Sequence, residues 1–147
     1  MHSHSEKNQD RPDFPERAVV TAGMPYGNKD LHFGHIGGVF IHADVYARFL
    51  RDRIGEENVI FVSGTDCYGS PIVEDYREEV NEGDFEGTIE EYVEAHHESQ
   101  KEALNSYRIS PDFYGASSIG RAAEIHQQFT YEFITRLYEN GHLKKMT

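Results

Sequence analysis

Two histidines three residues apart, His32 and His35, with Gly34 between them, are the first residues whose types and spacing suggest chemistry. They stand where a loop containing proline and glycine, residues 25–35, runs into a helical pattern. A helix start presents free backbone N–H groups and partial positive charge, which suits a phosphate. Gly34 leaves room for a ligand to approach the backbone, and imidazole N–H groups can stabilise negative charge growing on phosphate oxygens in a transition state. The same spacing fits ordinary polar residues at a helix start. It also fits two metal ligands, although a third is then needed and no carboxylate stands between the histidines as in His-Glu-x-x-His. Asp66, in a second loop (64–72), is the other candidate. A carboxylate at a strand end is a natural partner for an ammonium group, or for the backbone N–H groups of its own turn. Cys67 lies beside it, but a nucleophilic thiol needs an activating neighbour, and covalent catalysis is not expected.

The elements that must position these residues are readable from pattern. Residues 18–22, Ala-Val-Val-Thr-Ala, are β-branched and read as a short buried strand. Over 34–53, Ile36, Val39, Phe40, Ala43, Ala47 and Leu50 recur at helical steps, with Gly55 as the stop. Residues 58–63 read as a second buried strand. Ser70 as N-cap and Pro71 at the first helical position start another helix, with Glu74 and Asp75 in its first turn. Thr88 and Glu91 fit a capping box that opens a helix to about Tyr107. That helix is expected to be mostly solvated, with the adjacent His96 and His97 pointing to different faces. A last helix is expected from Ser117 or Ser118, with a stripe of Ile125, Phe129, Phe133 and Leu137 and a stop at Gly141. Strand, helix, strand implies a parallel pair. Both loops follow strands directly, so they belong to the carboxyl edge of one sheet, where such sheets bind ligands.

Composition sets outer limits. A chain of 147 residues, 37% hydrophobic, suffices for one globular domain. The formal net charge is −12, and between residues 74 and 102 only Arg77 and Lys101 oppose a dense run of acids. Such a run reads as solvated helical face, or as an acidic docking surface, and does not suit a phosphate backbone. One cysteine rules out an internal disulfide, and a reducing, cytoplasmic setting fits. No apolar run is long enough to span a bilayer, so no membrane association is expected. Residues 1–16 read as a flexible tail without a secretory signal, and its His2 and His4 do not argue for a metal. Residues 17–147 form the domain.

The loop residues carry a family resemblance. Met24-Pro25-Tyr26-Gly27-Asn28, followed by His32-Phe33-Gly34-His35, closely resembles the first signature of methionyl-tRNA synthetases, class I enzymes that usually show Leu-Pro-Tyr-Ala-Asn-Gly before His-Leu-Gly-His. The chain departs at Met24, Gly27 and Lys29-Asp30. His-x-Gly-His alone is shared with the wider nucleotidyltransferase superfamily, whereas the Pro-Tyr-x-Asn core is discriminating. Gly64-Thr65-Asp66-Cys67-Tyr68-Gly69-Ser70-Pro71-Ile72 resembles a second block, Gly-Thr-Asp-x-His-Gly-Thr-Pro-Ile, with Tyr68 where histidine is common. Tyr107-Arg108-Ile109-Ser110 and residues 129–143 are similar to the family too, so the likeness runs from about Ala18 onward. Lys144-Lys145-Met146-Thr147 looks a little like the later Lys-Met-Ser-Lys-Ser signature but follows the Gly-His-Leu turn directly, where the family starts an inserted domain.

The resemblance implies an α/β, Rossmann-like parallel sheet of the class I synthetase nucleotide-binding kind, incomplete in this chain. It implies a methionine–tRNA ligase that uses ATP as substrate, with Mg2+ on the nucleotide, and methionine and tRNA as the other partners. His32 and His35 then stabilise phosphate, Asn28 and Gly34 shape the ATP site, Asp66 takes the methionine ammonium, and Met24 and Tyr26 border its side chain. The resemblance places the Lys-Met-Ser-Lys-Ser loop, later strands, a zinc-bearing insertion and anticodon-binding helices beyond this sequence. The expectation is an N-terminal fragment, weak or inactive alone, with open sheet edges and exposed apolar surface. Two alternatives stay open: a non-catalytic paralogue that binds a nucleotide or a partner, and a small adenylyltransferase sharing only His-x-Gly-His.

Overall fold

Short β-branched runs seed a three-stranded sheet in the computed structural model, which describes residues 13–145. Strand β1 (Ala18–Thr21) leads through the first loop to a three-residue helical turn, α1 (Phe33–His35), a π-helical turn (Ile36–Phe40) and α2 (Ile41–Ile54). A 3-10 turn (Glu56–Asn58) precedes β2 (Val59–Thr65). Helices α3 (Ser70–Glu82) and α4 (Ile89–Ser106) then lead to β3 (Phe113–Ala116) and the final α5 (Gly120–Glu139). The strands lie in the order β1-β2-β3 and every pairing is parallel, with Val20 opposite Phe61 and Gly64 opposite Gly115.

This order decides where the core sits. Right-handed crossovers taken repeatedly in one direction place their helices on one face of the sheet. Accordingly Val20 and Phe61 face Phe40, Ala47 and Leu50 from the first crossover and Leu104 from the second, in one buried cluster. Each large apolar side chain so buried contributes about 1.5–3 kcal/mol. A smaller cluster of Cys67, Ile72, Tyr92, Val93 and Ala116 lies under α3 and α4. The alternate strand residues point the other way and stay open: Val19 is 68% exposed, Ile60 51% and Phe113 57%. Among the described residues no helix is long and apolar enough to cross a membrane.

Several expectations need correction. The predicted helix over 34–53 is interrupted: Ile41 N–H bonds to Ile36 O, the wide π-type closure. Helix α3 begins one residue early, with Gly69 and not Ser70 as its N-cap, so Glu74 and Asp75 fall outside the first turn. Strand β2 runs two residues further than expected, to Thr65. Strand β3 is additional to the two strands expected; its four residues, Phe-Tyr-Gly-Ala, lack a periodic run and become a strand through pairing with β2. Helix α4 is not mostly solvated, since Tyr92, Val93, His97, Gln100 and Leu104 are buried along one face. The stripe on α5 is not core: Ile125, Phe129 and Phe133 are exposed, because α5 leaves the sheet after β3 and no element of the described chain covers that side. The Thr88–Glu91 capping box is present as expected. Residues 1–12, including His2 and His4, and Met146 and Thr147 lie outside the described residues.

Candidate functional site

The two loops meet at the carboxyl edge of the sheet. Asp66 N–H donates to Pro25 O and Gly27 N–H donates to Asp66 O, each at 2.8 Å. This parallel bridge between Tyr26 and Asp66 extends the β1–β2 pairing beyond the strands and fixes one loop against the other. It brings together residues that lie 40 positions apart in sequence on the strength of two backbone bonds.

Gly27 explains one departure from the family pattern. A Cβ built there would lie 2.9 Å from Val93 Cγ1 and 3.1 Å from Thr65 Cγ2. Val93 occupies the space that alanine would need, so the small residue in the loop and the branched residue on α4 go together.

His32 and His35 form a stacked pair with ring centroids 4.0 Å apart. His32 is the N-cap of α1: its Nδ1 accepts the Gly34 N–H at 3.0 Å. An imidazole whose Nδ1 accepts carries its proton, when neutral, on Nε2, so the cap also fixes which nitrogen can donate outward. Gly34 serves this cap. A Cβ at Gly34 would stand 2.7 Å from His32 Cε1, so the space expected for a ligand is filled by the His32 ring. His35 is half-buried, and its Nδ1 is buried without a hydrogen-bond partner among the described residues. Burial, and then the neighbouring His32, hold its pKa below the ordinary histidine value, which favours the neutral ring.

Asn28 is turned inward. Its side chain is buried, and its Nδ2 donates to Asp75 Oδ2 on α3 at 2.7 Å, while its carbonyl accepts from the Tyr92 hydroxyl at 3.3 Å. The Lys29-Asp30 pair gains a structural account. Lys29 Nζ lies 3.5 Å from Asp75 Oδ2, and Asp30 Oδ1 accepts from Ser99 Oγ at 2.6 Å. Both residues tie the first loop to the helices behind it.

Asp66 is partly buried, and its Oδ1 accepts the Tyr68 N–H of its own turn at 3.1 Å. Cys67 is buried and free of any disulfide; its N–H donates to Ser117 Oγ at 2.9 Å. Tyr68 is exposed and stacks on His126 of α5, with centroids 5.6 Å apart. Met24 opens onto a groove of about 350 Å3 on the open face of the sheet, shared with Ser63, Gly64, Ala116 and His126. Tyr26 is half exposed.

Sequence reasoning missed the supporting residues. Asp75 was read as part of an acidic face, yet it holds Asn28 and Lys29. On a helix expected to be mostly solvated, His97 and Gln100 are buried. The signal was available, because Val93, His97, Gln100 and Leu104 follow one helical stripe. Asp44 was also passed over. It is buried on α2 and accepts from Arg48, from Ser110 N–H and from Ser110 Oγ. Burial alone would push its pKa up, but these bonds outweigh burial and hold the carboxyl below its ordinary value. It fastens α2 to the turn that enters β3.

Residues 18–147 match the family described as tRNA synthetases class I (M). A methionine–tRNA ligase of Cytophaga hutchinsonii is 35% identical over 133 residues, covering 90% of this chain and 18% of that protein. The methionine–tRNA ligase of Pyrococcus abyssi is 38% identical over 132 residues, 89% of this chain and 17% of that protein. That of Thermococcus kodakarensis is 38% identical over 132 residues, 89% and 16% respectively. The chain therefore spans under one fifth of the length of these relatives.

Proposed function

The chain belongs to the class I tRNA synthetase (M) family, and on that basis we propose that it carries the ATP- and methionine-binding loops of a methionine–tRNA ligase. The observation that supports this most is the backbone bridge joining Tyr26 to Asp66 at the carboxyl edge of a parallel sheet, one loop ahead of the stacked histidines.

In the proposed reaction ATP enters as its Mg2+ complex. A methionine carboxylate oxygen bonds to the α-phosphorus, the bond from that phosphorus to the bridging oxygen of the β-phosphate breaks, and pyrophosphate leaves with the electron pair. A hydroxyl oxygen of the terminal adenosine of tRNA then bonds to the methionyl carbonyl carbon, the bond from that carbon to the phosphate oxygen breaks, and AMP leaves as the hydroxyl gives up its proton. The protein's part in the first step is positioning and charge stabilisation. His32 offers Nε2–H as a donor because its Nδ1 is engaged by Gly34. A neutral His35 stacked on it allows two donors side by side without the repulsion of two cations. Asp66 takes the methionine ammonium. Met24 and Tyr26 border the thioether, for which an apolar, polarisable wall is suited. Asn28 and Gly34 act indirectly, Asn28 by holding the loop on α3 and Gly34 by admitting the His32 cap. Contacts with tRNA, any zinc-bearing insertion and the cytoplasmic setting belong to the whole enzyme and follow from the same proposal.

The test is ATP–pyrophosphate exchange by the full-length protein with each amino acid in turn. Stimulation by methionine above all others is expected. Stimulation by another amino acid and none by methionine would sink the proposal.

A further inference from the structure

Gln100 lies in the middle of α4, wholly buried at 0% exposure, and each of its side-chain valences is used. Its Nε2 donates to Tyr26 O and to Lys29 O, both at 2.9 Å. Its Oε1 accepts from the Thr65 hydroxyl and from the Tyr114 hydroxyl, both at 2.8 Å. Two carbonyls can only accept, so the amide orientation is forced. Thr65 has one hydroxyl hydrogen, directed at Gln100, so it must accept from His97 Nδ1 at 2.8 Å. His97 therefore carries its proton on Nδ1. The result is a directed chain of hydrogen bonds from His97 through Thr65 to Gln100 and on to the first loop.

This placement has a consequence for the site. Thr65 immediately precedes Asp66, and Tyr26 and Lys29 bracket Gly27 and Asn28. One amide group thus fixes the residue before the ammonium-binding Asp66 and the loop segment paired with it. A buried network in which every group is satisfied rigidifies its surroundings, and one left partly satisfied does the reverse.

We propose that Gln100 is the positioning residue that sets the first loop against Asp66, and so governs how methionine is held. This rests on the functional reading above. Gln100 lies 74 and 71 residues downstream of the two carbonyls it holds, and it touches neither substrate nor reacting atoms.

Gln100→Glu keeps the shape but turns two donors toward carbonyls into acceptors, and Gln100→Leu removes all four bonds. Tyr114→Phe serves as the structural control, since it deletes one bond to the same amide without freeing the loop. Steady-state exchange kinetics should give kcat/KM for methionine lower by about 10- to 100-fold in both Gln100 variants, the range expected for ångström-scale misplacement. The loss should fall mainly on the KM for methionine, with the KM for ATP less affected, and Tyr114→Phe should stay within about threefold of wild type by the same reasoning. Amide hydrogen exchange on the chain should quicken selectively at Gly27 and Asp66 in the Gln100 variants and not in Tyr114→Phe. If Gln100→Glu and Gln100→Leu leave both the methionine KM and these two amides unchanged, the proposal is overturned. If the wild-type protein shows no methionine-dependent exchange, the functional reading fails, and the amide data alone decide whether Gln100 positions the loop.

Discussion

The first loop and the second loop meet at one edge of the sheet but are held differently. The second loop is an extension of β2, whose last residue, Thr65, is held by Gln100 and His97. Beyond it the loop closes its own turn through Asp66 Oδ1 and the Tyr68 N–H, pairs with the first loop through Asp66, and donates from Cys67 N–H to Ser117 Oγ. The first loop has little of its own to hold it. Asp75, Tyr92, Ser99 and Gln100 reach it from α3 and α4, and its conformation is borrowed from helices far along the chain. The loop that carries the histidines is therefore the one whose geometry depends on distant residues. Substitutions well away from the motif, at Asp75, Ser99 or Gln100, can alter the first loop.

The largest expected effect is chemical. His35→Ala in the full-length protein should lower the adenylation rate on the order of 10²–10³, as loss of one transition-state donor does, with its binding of methionine little changed. A near-normal rate would remove His35 from the mechanism and leave the first loop with a purely architectural role.

The next effect tests how tightly the first loop is fitted. Gly27→Ala should destabilise the chain by about 1–3 kcal/mol through overpacking against Val93. The double variant Gly27→Ala with Val93→Ala should recover much of this, as neighbouring sites couple. Urea unfolding of the two variants reads the difference; equal losses would mean that Val93 is not what excludes alanine.

Removing one supporting bond from each loop makes the contrast direct. Asp75→Ala leaves the buried Asn28 amide without its acceptor and should cost about 1–3 kcal/mol. Ser117→Ala withdraws one acceptor from Cys67 N–H and should cost about 1 kcal/mol. If the two lower the Tm equally, the first loop is no more dependent on distant support than the second.

Acidification should produce the smallest change. Burial, and then Lys101, lower the His97 pKa from its ordinary value of 6.5, and His35 is lowered likewise. In the window between the lowered folded values and 6.5 the unfolded chain binds more protons than the folded one. The stability these histidines contribute is therefore fully present above 6.5 and is lost as the pH falls toward their folded values. Tm measured from pH 7 down to about 5 should decline, and the decline should be shallower in His97→Gln. An unchanged slope in that variant would show that His97 does not titrate on unfolding.

Local rules determined much of this protein from sequence. The strands announced themselves by β-branched runs, the capping box at Thr88 by its spacing, and the loops by their position after strands. These rules act over a few residues, and the residues in question obey them. The same holds for the candidates themselves: His32, His35 and Asp66 are polar groups at element ends, where chemistry can be exposed.

Tertiary structure alone decided the rest. Phe113 and Tyr114 favour strands, but four residues with a glycine among them announce none, and they became a strand because β2 offered an unpaired edge. Gln100 and His97 look like surface residues in composition, and only the approach of Thr65 and two loop carbonyls makes their burial favourable. The stripe on α5 has the period of a core helix, but period says only which residues share a side. Whether that side is covered depends on the order of the strands and the direction of their crossovers, which left one sheet face open. Gly34 shows the same division at the scale of one residue. A glycine at a helix start is legible as a small residue, but that the His32 ring fills its space is visible only in the fold. Local preference is a property of the chain, whereas burial is a property of what arrives from elsewhere to cover it.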